Sequence, residues 1–191
     1  VIPYLDALSP EAKRLGAVNT ILRREGKLIG HNTDYFGFRY LLEKSGLHVA
    51  GKKALVLGSG GASNTASAVL EELEARVVVI SRTGENNYQN LSRHADAAVI
   101  VNATPVGMYP NTGVSPLDLG QFPGLEGVLD AIYNPARTQI LLDAERRGLT
   151  AVNGLWMLVA QAKESAQWFT GKPISDDVIA PIHRALRQQM E

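Results

Sequence analysis

The chain has no cysteine, no net charge and no long apolar run, and each absence narrows its function. Without cysteine there is no disulfide framework and no thiolate metal site, and the four histidines are too scattered for a local metal motif, so we expect no metal. Nineteen basic and nineteen acidic residues give no reason to expect a nucleic-acid or membrane partner. No apolar run approaches the roughly 18 residues that span a bilayer. We therefore expect a cytoplasmic protein that binds a small molecule.

The first residues, VIPYLDALSP, lack an initiator Met as well as the basic region and apolar core of a signal peptide. We expect that the chain begins inside a longer protein. Its 191 residues, 45% of them hydrophobic, fit one medium domain or one domain with part of another.

Short β-branched runs alternate with helical patterns from residue 51 onward, which indicates βαβ units. Strands are predicted at 53–58, 76–81, 97–104, 127–133 and 149–154. None of them alternates polar and apolar residues, as expected when helices cover both faces of a parallel sheet. The predicted fold class is α/β, with a Rossmann-like doubly wound parallel sheet.

The two ends of the chain have other patterns. A short helix is predicted at 9–16, because Ser9 can cap it and Pro10 suits its first position. The stretch VNTILRREGKLIGHN predicts a hairpin that turns near Glu25 and Gly26.

Three further helices are predicted towards the C-terminus. One runs from about Ala136 to Arg147, and a second follows Gly154 with an apolar face. The residues of that face are Leu155, Leu158, Val159, Ala162, Ala166 and Phe169. A third begins at Ser175. The glycine-rich stretch 107–127 predicts a long loop that is functional or mobile.

A glycine-rich turn, GSGGAS at 58–63, separates the first predicted strand of the parallel sheet from its helix. Glycines there allow a tight turn and a close approach to pyrophosphate at the helix N-terminus. Ser63 stands where Gly or Ala is usual and should still permit close helix packing. The predicted cofactor-binding residues of this turn are Gly58, Ser59, Gly60, Gly61 and Ala62. The alternative is a glycine-rich connection that binds nothing.

The end of the next predicted strand indicates which dinucleotide would bind. A protein that selects NAD usually has Asp or Glu there, for the ribose 2′-hydroxyl. This chain instead has Ser81, Arg82 and Thr83, one cation and two hydroxyls that suit a 2′-phosphate. We therefore predict NADP as the cofactor, although Glu85 could weaken the preference and Arg82 could be a solvated surface residue.

Four polar side chains, His31 to Asp34, lie together in GHNTD between the predicted hairpin and a helical stretch. The simplest interpretation is a turn with a helix cap, because Asn, Thr and Asp bond nearby backbone N–H groups. A second interpretation depends on the motifs that accompany it.

Several motifs resemble those of one family, in the same order and across essentially the whole chain. They are GAVNT, GHNTDYFGF, GSGGA, SRT, NATPVGM, YNP and NGLWMLVAQA. Together they resemble the shikimate dehydrogenase family, whose members reduce 3-dehydroshikimate to shikimate with NADPH in aromatic amino acid biosynthesis. The resemblance implies a substrate domain and a cofactor domain with the active site in the cleft between them.

The resemblance also implies roles for individual residues. Asp34 matches the catalytic Asp of the family. The substrate-binding matches are Asn19, Thr33, Tyr133 and Gln161. Thr104 and Gly154 match positions that line the nicotinamide side of the cleft.

The same resemblance divides the chain into three parts. Residues 1–33 would be the remnant of an α/β substrate-binding domain, 34–154 the NADP-binding domain, and 155–191 C-terminal helices that pack back on the substrate domain. The family's catalytic Lys lies in an N-V-T-x-P-x-K motif, which would precede Val1, as would a Ser pair that holds the substrate carboxylate. We therefore expect the chain as given to lack that Lys and to be inactive.

Two alternatives stay open at this stage. One is a quinate/shikimate dehydrogenase that uses NAD or NADP. The other is a noncatalytic nucleotide-binding module, against which Asp34 and Gln161 argue because a nucleotide binder has no need of them. Whether the protein forms a homodimer is also open.

Overall fold

The computed structural model describes residues 1–190 and contains two β-sheets. The smaller sheet has the order β1-β3-β2 and is built from β1 (Ala7–Leu8), β2 (Thr20–Arg24) and β3 (Lys27–His31). The strand β1 runs parallel to β3, and β2 runs antiparallel to it. The predicted hairpin is confirmed, because Glu25 and Gly26 turn the chain with φ values of 50° and 78°.

The helix α1 (Pro10–Leu15) connects β1 to the hairpin, as predicted. The Ser9 side chain accepts a hydrogen bond from the Ala12 N–H at 3.2 Å, and Pro10 occupies the first turn, where no N–H is needed. Gly16 ends the helix in the left-handed conformation.

The larger sheet is parallel throughout and contains all five strands predicted after residue 51. They are β4 (Lys53–Leu57), β5 (Arg76–Ile80), β6 (Val99–Asn102), β7 (Gly127–Asp130) and β8 (Thr150–Val152). Their order is β5-β4-β6-β7-β8. Each strand ends before its predicted end, because the chain leaves the sheet there to form the loops of the cleft.

Five helices accompany the larger sheet. They are α2 (Asp34–Ser45), α3 (Gly61–Glu72), α4 (Gln139–Arg146), α5 (Leu155–Thr170) and α6 (Ile179–Met190). Residues of α2 and α3 pack on one face of the sheet, whereas α4 packs on the other. In β4, Ala54 and Val56 face the first layer while Leu55 and Leu57 face the second. The sheet is therefore doubly wound, as predicted.

Four local predictions differ from the structure. One is the start of α6, which begins at Ile179 rather than at Ser175, because Ser175 caps a separate short helix, Asp176–Val178. The helix α4 begins at Gln139 rather than near residue 136, because the Thr138 hydroxyl donates to Asp130 and the preceding residues form a turn. The predicted apolar face of α5 is also incomplete, since Phe169 is 64% exposed. The stretch 107–127 is not wholly a mobile loop, because it contains a short helix, Leu119–Gln121, and several buried apolar side chains. These are Leu117, Leu119, Phe122 and Leu125.

The strand order also determines where a ligand can bind. The chain leaves β4 for β5 on one side and later returns to β6 on the other. The carboxyl ends of these neighbouring strands therefore lead into loops that separate and leave a crevice, the usual ligand site of such sheets. Within residues 1–190, no helix has both the length and the apolar character needed to cross a membrane.

Candidate active site

Two cavities adjoin at the carboxyl edge of the larger sheet, and Ala131 and Tyr133 line both of them. The first cavity measures about 370 Å³ and the second about 430 Å³. The first is lined by Asn19, Thr20, Asp34, Met157, Leu158, Gly154, Gln161, Ser165 and Phe169 besides the shared pair. Two ligands placed in these cavities would meet at Ala131 and Tyr133.

A polar cluster of amides and hydroxyls forms one wall of the first cavity. The Asn19 Oδ1 atom accepts from the Thr33 N–H at 2.9 Å and from the Thr20 hydroxyl at 3.1 Å. The Ser165 hydroxyl lies 2.9 Å from that of Thr33 and 3.2 Å from that of Thr20. The cluster therefore joins the hairpin, the start of α2 and the middle of α5.

Thr33, a predicted substrate-binding residue, lies beneath the cavity and is 1% exposed. Its hydroxyl is within 3.2 Å of Asn19 Oδ1 and 3.3 Å of Gln161 Oε1. One hydroxyl hydrogen can serve only one of these acceptors at a time. In this arrangement, Thr33 orients the side chains that reach the cavity.

Asp34 is the first residue of α2, and its side chain lines the first cavity. Burial raises the pKa of its carboxyl, and a hydrogen bond with the Asn19 side chain opposes that shift. Among residues 1–190, none forms an ion pair with it. The carboxyl is thus partly desolvated, a setting that suits proton exchange with a bound hydroxyl.

A close helix crossing sets the spacing between Asp34 and Gln161. Gly37, one turn after Asp34, faces α5, and a Cβ atom there would lie 2.7 Å from the Met157 carbonyl oxygen and 3.0 Å from the Gln161 Cβ. Only glycine fits this contact without displacement. The crossing therefore holds the acid and the amide on the same side of the cavity.

The end of the cavity nearest the sheet depends on a second close contact. A Cβ atom on Gly154 would lie 2.1 Å from the Ala131 carbonyl oxygen, and the Gly154 N–H donates to the Ile132 carbonyl at 2.9 Å. Gly154, a predicted nicotinamide-side residue, lines the first cavity beside Ala131, where the two cavities adjoin. Thr104, by contrast, lines the second cavity.

The glycine-rich turn has a geometry that fits a dinucleotide. Gly58 has a φ of 110°, and a Cβ there would lie 3.0 Å from the Ala103 carbonyl oxygen, so a side chain would be strained. Gly60 precedes α3 and supplies no side-chain cap to its first N–H groups. The hydroxyl of Ser63, which is fully buried, donates to the Gly58 carbonyl at 2.8 Å. Ala62 of the same turn lines the second cavity.

The loop after β5 is held by its own side chains. The Ser81 hydroxyl accepts from the Gly84 N–H at 2.8 Å and can still donate its own proton. Arg82 and Thr83 are exposed, and Arg82 forms no ion pair with any residue that the structure describes. An exposed guanidinium beside a hydroxyl donor suits a phosphate.

Sequence reasoning missed several residues of the first cavity. Ser165 follows Gln161 by four positions and so shares its helix face, a signal that could have identified it. Phe169, four positions further along α5, shares the same signal, whereas Thr20 had none, because it comes from a distant part of the chain. Among residues 1–190, no group of three or more His, Cys, Asp or Glu side chains could hold a metal ion.

No protein-family model matches the chain. The NADP(+) shikimate dehydrogenase of Symbiobacterium thermophilum is 38% identical over 204 residues, covering 94% of this chain and 69% of the relative. The crystal structure of shikimate dehydrogenase 1 from Peptoclostridium difficile matches 99% of this chain and 73% of its own, with a TM-score of 0.90 and 39% identity. Shikimate 5-dehydrogenase from Thermus thermophilus, in complex with NADP(H) and shikimate, matches with a TM-score of 0.84 and 35% identity, covering 96% of this chain and 74% of its own.

Proposed function

Because the chain belongs to the shikimate dehydrogenase family, we propose that the complete gene product that contains it interconverts shikimate and 3-dehydroshikimate with NADP. The observation that carries this proposal is the contact between the two cavities at Ala131 and Tyr133. A hydride can pass only between a nicotinamide ring and a carbonyl carbon that are in contact. The quinate and NAD alternative is not favoured by relatives named for shikimate and NADP(+).

On the substrate side, the amides of Asn19 and Gln161 bind the hydroxyls of the cyclic substrate. Both side chains line the first cavity and supply a donor and an acceptor each. Tyr133 lines both cavities, and its side chain contacts the substrate from the cofactor side. Thr33 holds Asn19 and Gln161 in place from below.

Asp34 takes part in moving the proton of the reacting hydroxyl. Its carboxyl lines the first cavity, and the raised pKa brings it closer to the pH at which an acid–base group works best. The resemblance described above also implies a Lys as the partner of this Asp.

On the cofactor side, the residues present fit NADP. The turn from Gly58 to Ala62 receives the pyrophosphate at the N-terminus of α3. Ser81, Arg82 and Thr83 hold the 2′-phosphate, and Thr104 lines the space for the nicotinamide. When bound, NADP supplies the hydride chemistry.

We keep the division into 1–33, 34–154 and 155–191 as a proposal. The contacts between α2 and α5 support the assignment of the C-terminal helices to the substrate side. Cytoplasmic localisation and a homodimer remain predictions, and analytical ultracentrifugation would test the homodimer.

The test is NADP-dependent oxidation of shikimate by the complete gene product that contains this chain, with NADPH formation followed by absorbance. Quinate and NAD serve as comparison substrate and cofactor. We expect turnover to be fastest with shikimate and NADP. Faster turnover of quinate would contradict the substrate assignment, and faster turnover with NAD would contradict the cofactor assignment.

A further inference from the structure

Asp130, the last residue of β7, is fully buried and has a partner for each oxygen. Its Oδ1 atom accepts from the Asn102 side-chain amide at 3.0 Å and from the Ile132 N–H at 2.9 Å. Its Oδ2 atom accepts from the Thr138 hydroxyl at 2.6 Å. The carboxyl touches neither of the two cavities, and the proposed function does not use it.

One branch of this network holds the loop after β6. The Asn102 Oδ1 atom accepts from the Thr104 N–H at 3.1 Å and from the Thr104 hydroxyl at 2.7 Å. The Asn102 amide also donates to the Val106 carbonyl at 3.3 Å. Because Asp130 accepts from the same amide, it fixes the orientation of Asn102 and therefore the position of Thr104.

The other branch holds the loop after β7. The bond from the Ile132 N–H fixes the backbone between Ala131 and Tyr133, the two residues that line both cavities. The bond from Thr138 fixes the start of α4 at the far end of the same loop. One carboxyl thus sets the distance between the two loops that flank the second cavity.

The adenine half of the cofactor would lie away from the loops that follow β6 and β7. Its turn depends on Gly58 and on the bond from Ser63, and its phosphate loop depends on the contact between Ser81 and Gly84. None of these hydrogen bonds includes Asp130 or its partners, and Gly58 meets the Asp130 network only by packing against Ala103 and Thr104. The two halves of the dinucleotide would therefore respond differently to a change at Asp130.

We propose that Asp130 is a positioning residue for the nicotinamide half of NADP, acting through the loops that contain Thr104 and Tyr133. This inference rests on the proposed NADP function. The buried Asp130 carboxyl accepts hydrogen bonds from donors in both loops. It thereby holds the two loops at a separation that suits the flat nicotinamide ring.

The test compares the affinities of the 191-residue chain for NADP and for 2′,5′-ADP, which lacks the nicotinamide half, by isothermal titration calorimetry. Asp130→Ala leaves three buried donors without an acceptor, so we expect NADP to bind about tenfold more weakly. Binding of 2′,5′-ADP should change by less than about twofold. Asp130→Asn keeps one carbonyl oxygen for Asn102 and Ile132 and should restore most of the affinity.

A second pair of variants covers the case in which Asp130→Ala does not fold. Thr138→Val removes one donor at nearly constant volume, and Thr138→Ser retains it, so only the valine variant should lose NADP affinity selectively. Asp143→Ala, on the outer side of α4, is the matched control and should change neither affinity.

An equal loss of both affinities in the valine variant would reduce Asp130 to a general structural role and overturn the proposal, as would unchanged NADP binding. If the unaltered chain binds neither ligand, the proposed function fails before any variant is compared, and the role of Asp130 fails with it.

Discussion

The substrate side of the cleft leaves its polar groups at a cavity surface, whereas the cofactor side buries its main polar network. Asn19, Gln161 and Ser165 line the first cavity and bond to one another through hydroxyls that can rotate. Asp130 and Asn102 are fully buried, and two of the three donors on Asp130, the Asn102 amide and the Ile132 N–H, belong to planar groups with fixed directions. The comparison indicates that the first side can adapt to a polyol, while the second holds a rigid shape.

The largest effect that we expect concerns the pH dependence of the free energy of unfolding, and it follows from the burial of Asp130. Burial raises the pKa of its carboxyl from 3.8 to about 6, so the folded state binds the proton more tightly than the unfolded state does. The contribution to stability is therefore greatest below about pH 4 and is lost as the pH rises to about 6. A shift of about two units corresponds to roughly 3 kcal/mol.

Urea unfolding of the chain and of Asp130→Asn from pH 4 to pH 8 measures this loss. The unaltered chain should lose stability relative to the variant between pH 4 and pH 6, with no further relative change above pH 7. Glu72 and Asp96, whose pKa values are lowered by hydrogen bonds, affect both proteins equally. Parallel curves would show that Asp130 is not desolvated in the folded state.

On the substrate side, Asp34→Asn should give the largest loss of activity. The variant removes an acid–base group while retaining its shape, so kcat should fall by about a hundredfold or more. NADP affinity should not change, because Asp34 does not line the second cavity. Steady-state kinetics of the complete gene product measure the effect, with Asp143→Asn as the control; near-normal kcat would remove Asp34 from the chemistry.

Arg82→Ala tests the exposed end of the cofactor side, where the 2′-phosphate of NADP would bind. A charge-assisted bond to phosphate contributes about 1.5 to 3 kcal/mol, so the ratio of NADP to NAD affinity should fall by about ten- to a hundredfold. Arg146→Ala, which removes an exposed guanidinium on α4, is the control. Titration that shows equal affinity for both cofactors before any substitution would refute the interpretation of Ser81, Arg82 and Thr83.

Gly37→Ala tests whether the close helix crossing determines the geometry of the substrate side. Alanine favours a helix by about 1 kcal/mol over glycine, but its Cβ would meet the Met157 carbonyl oxygen at 2.7 Å. Overpacking of this kind costs about 1–3 kcal/mol, so we expect lower stability and a raised KM for shikimate. Gly46→Ala is not a suitable control, because that glycine is left-handed. Ala185→Gly, at an exposed position inside α6, tests the helix propensity term alone. A more stable Gly37→Ala variant with unchanged KM would contradict the crossing.

The smallest effect is expected at Gln161. Gln161→Ala removes one neutral donor and one acceptor from an open cavity, so KM for shikimate should rise by about tenfold with little change in kcat. Gln188→Ala, an exposed glutamine of α6, is the matched control. A fall in kcat at unchanged KM would move Gln161 from substrate binding to chemistry.

Local patterns were sufficient for much of the fold. The five parallel strands, the hairpin with Glu25 and Gly26, and the capped helix after Ser9 were all predicted, because each depends on neighbouring residues. The start of α4 was predicted three residues early, because the Thr138 hydroxyl is bonded to a strand eight residues away in sequence. The helical periodicity of the sequence does not reveal such a contact.

The sequence by itself determined the fold class, the glycine-rich turn after β4 and the polar motif from His31 to Asp34, since propensity, glycine freedom and periodicity act over a few residues. Only the tertiary structure decided that Thr33 lies beneath the cavity, that Ser165 joins its wall and that Gly37 brings α2 against α5. It also decided that Asp130 links two loops. These outcomes depend on which distant side chains share one small volume, because packing and desolvation act between segments that the sequence separates.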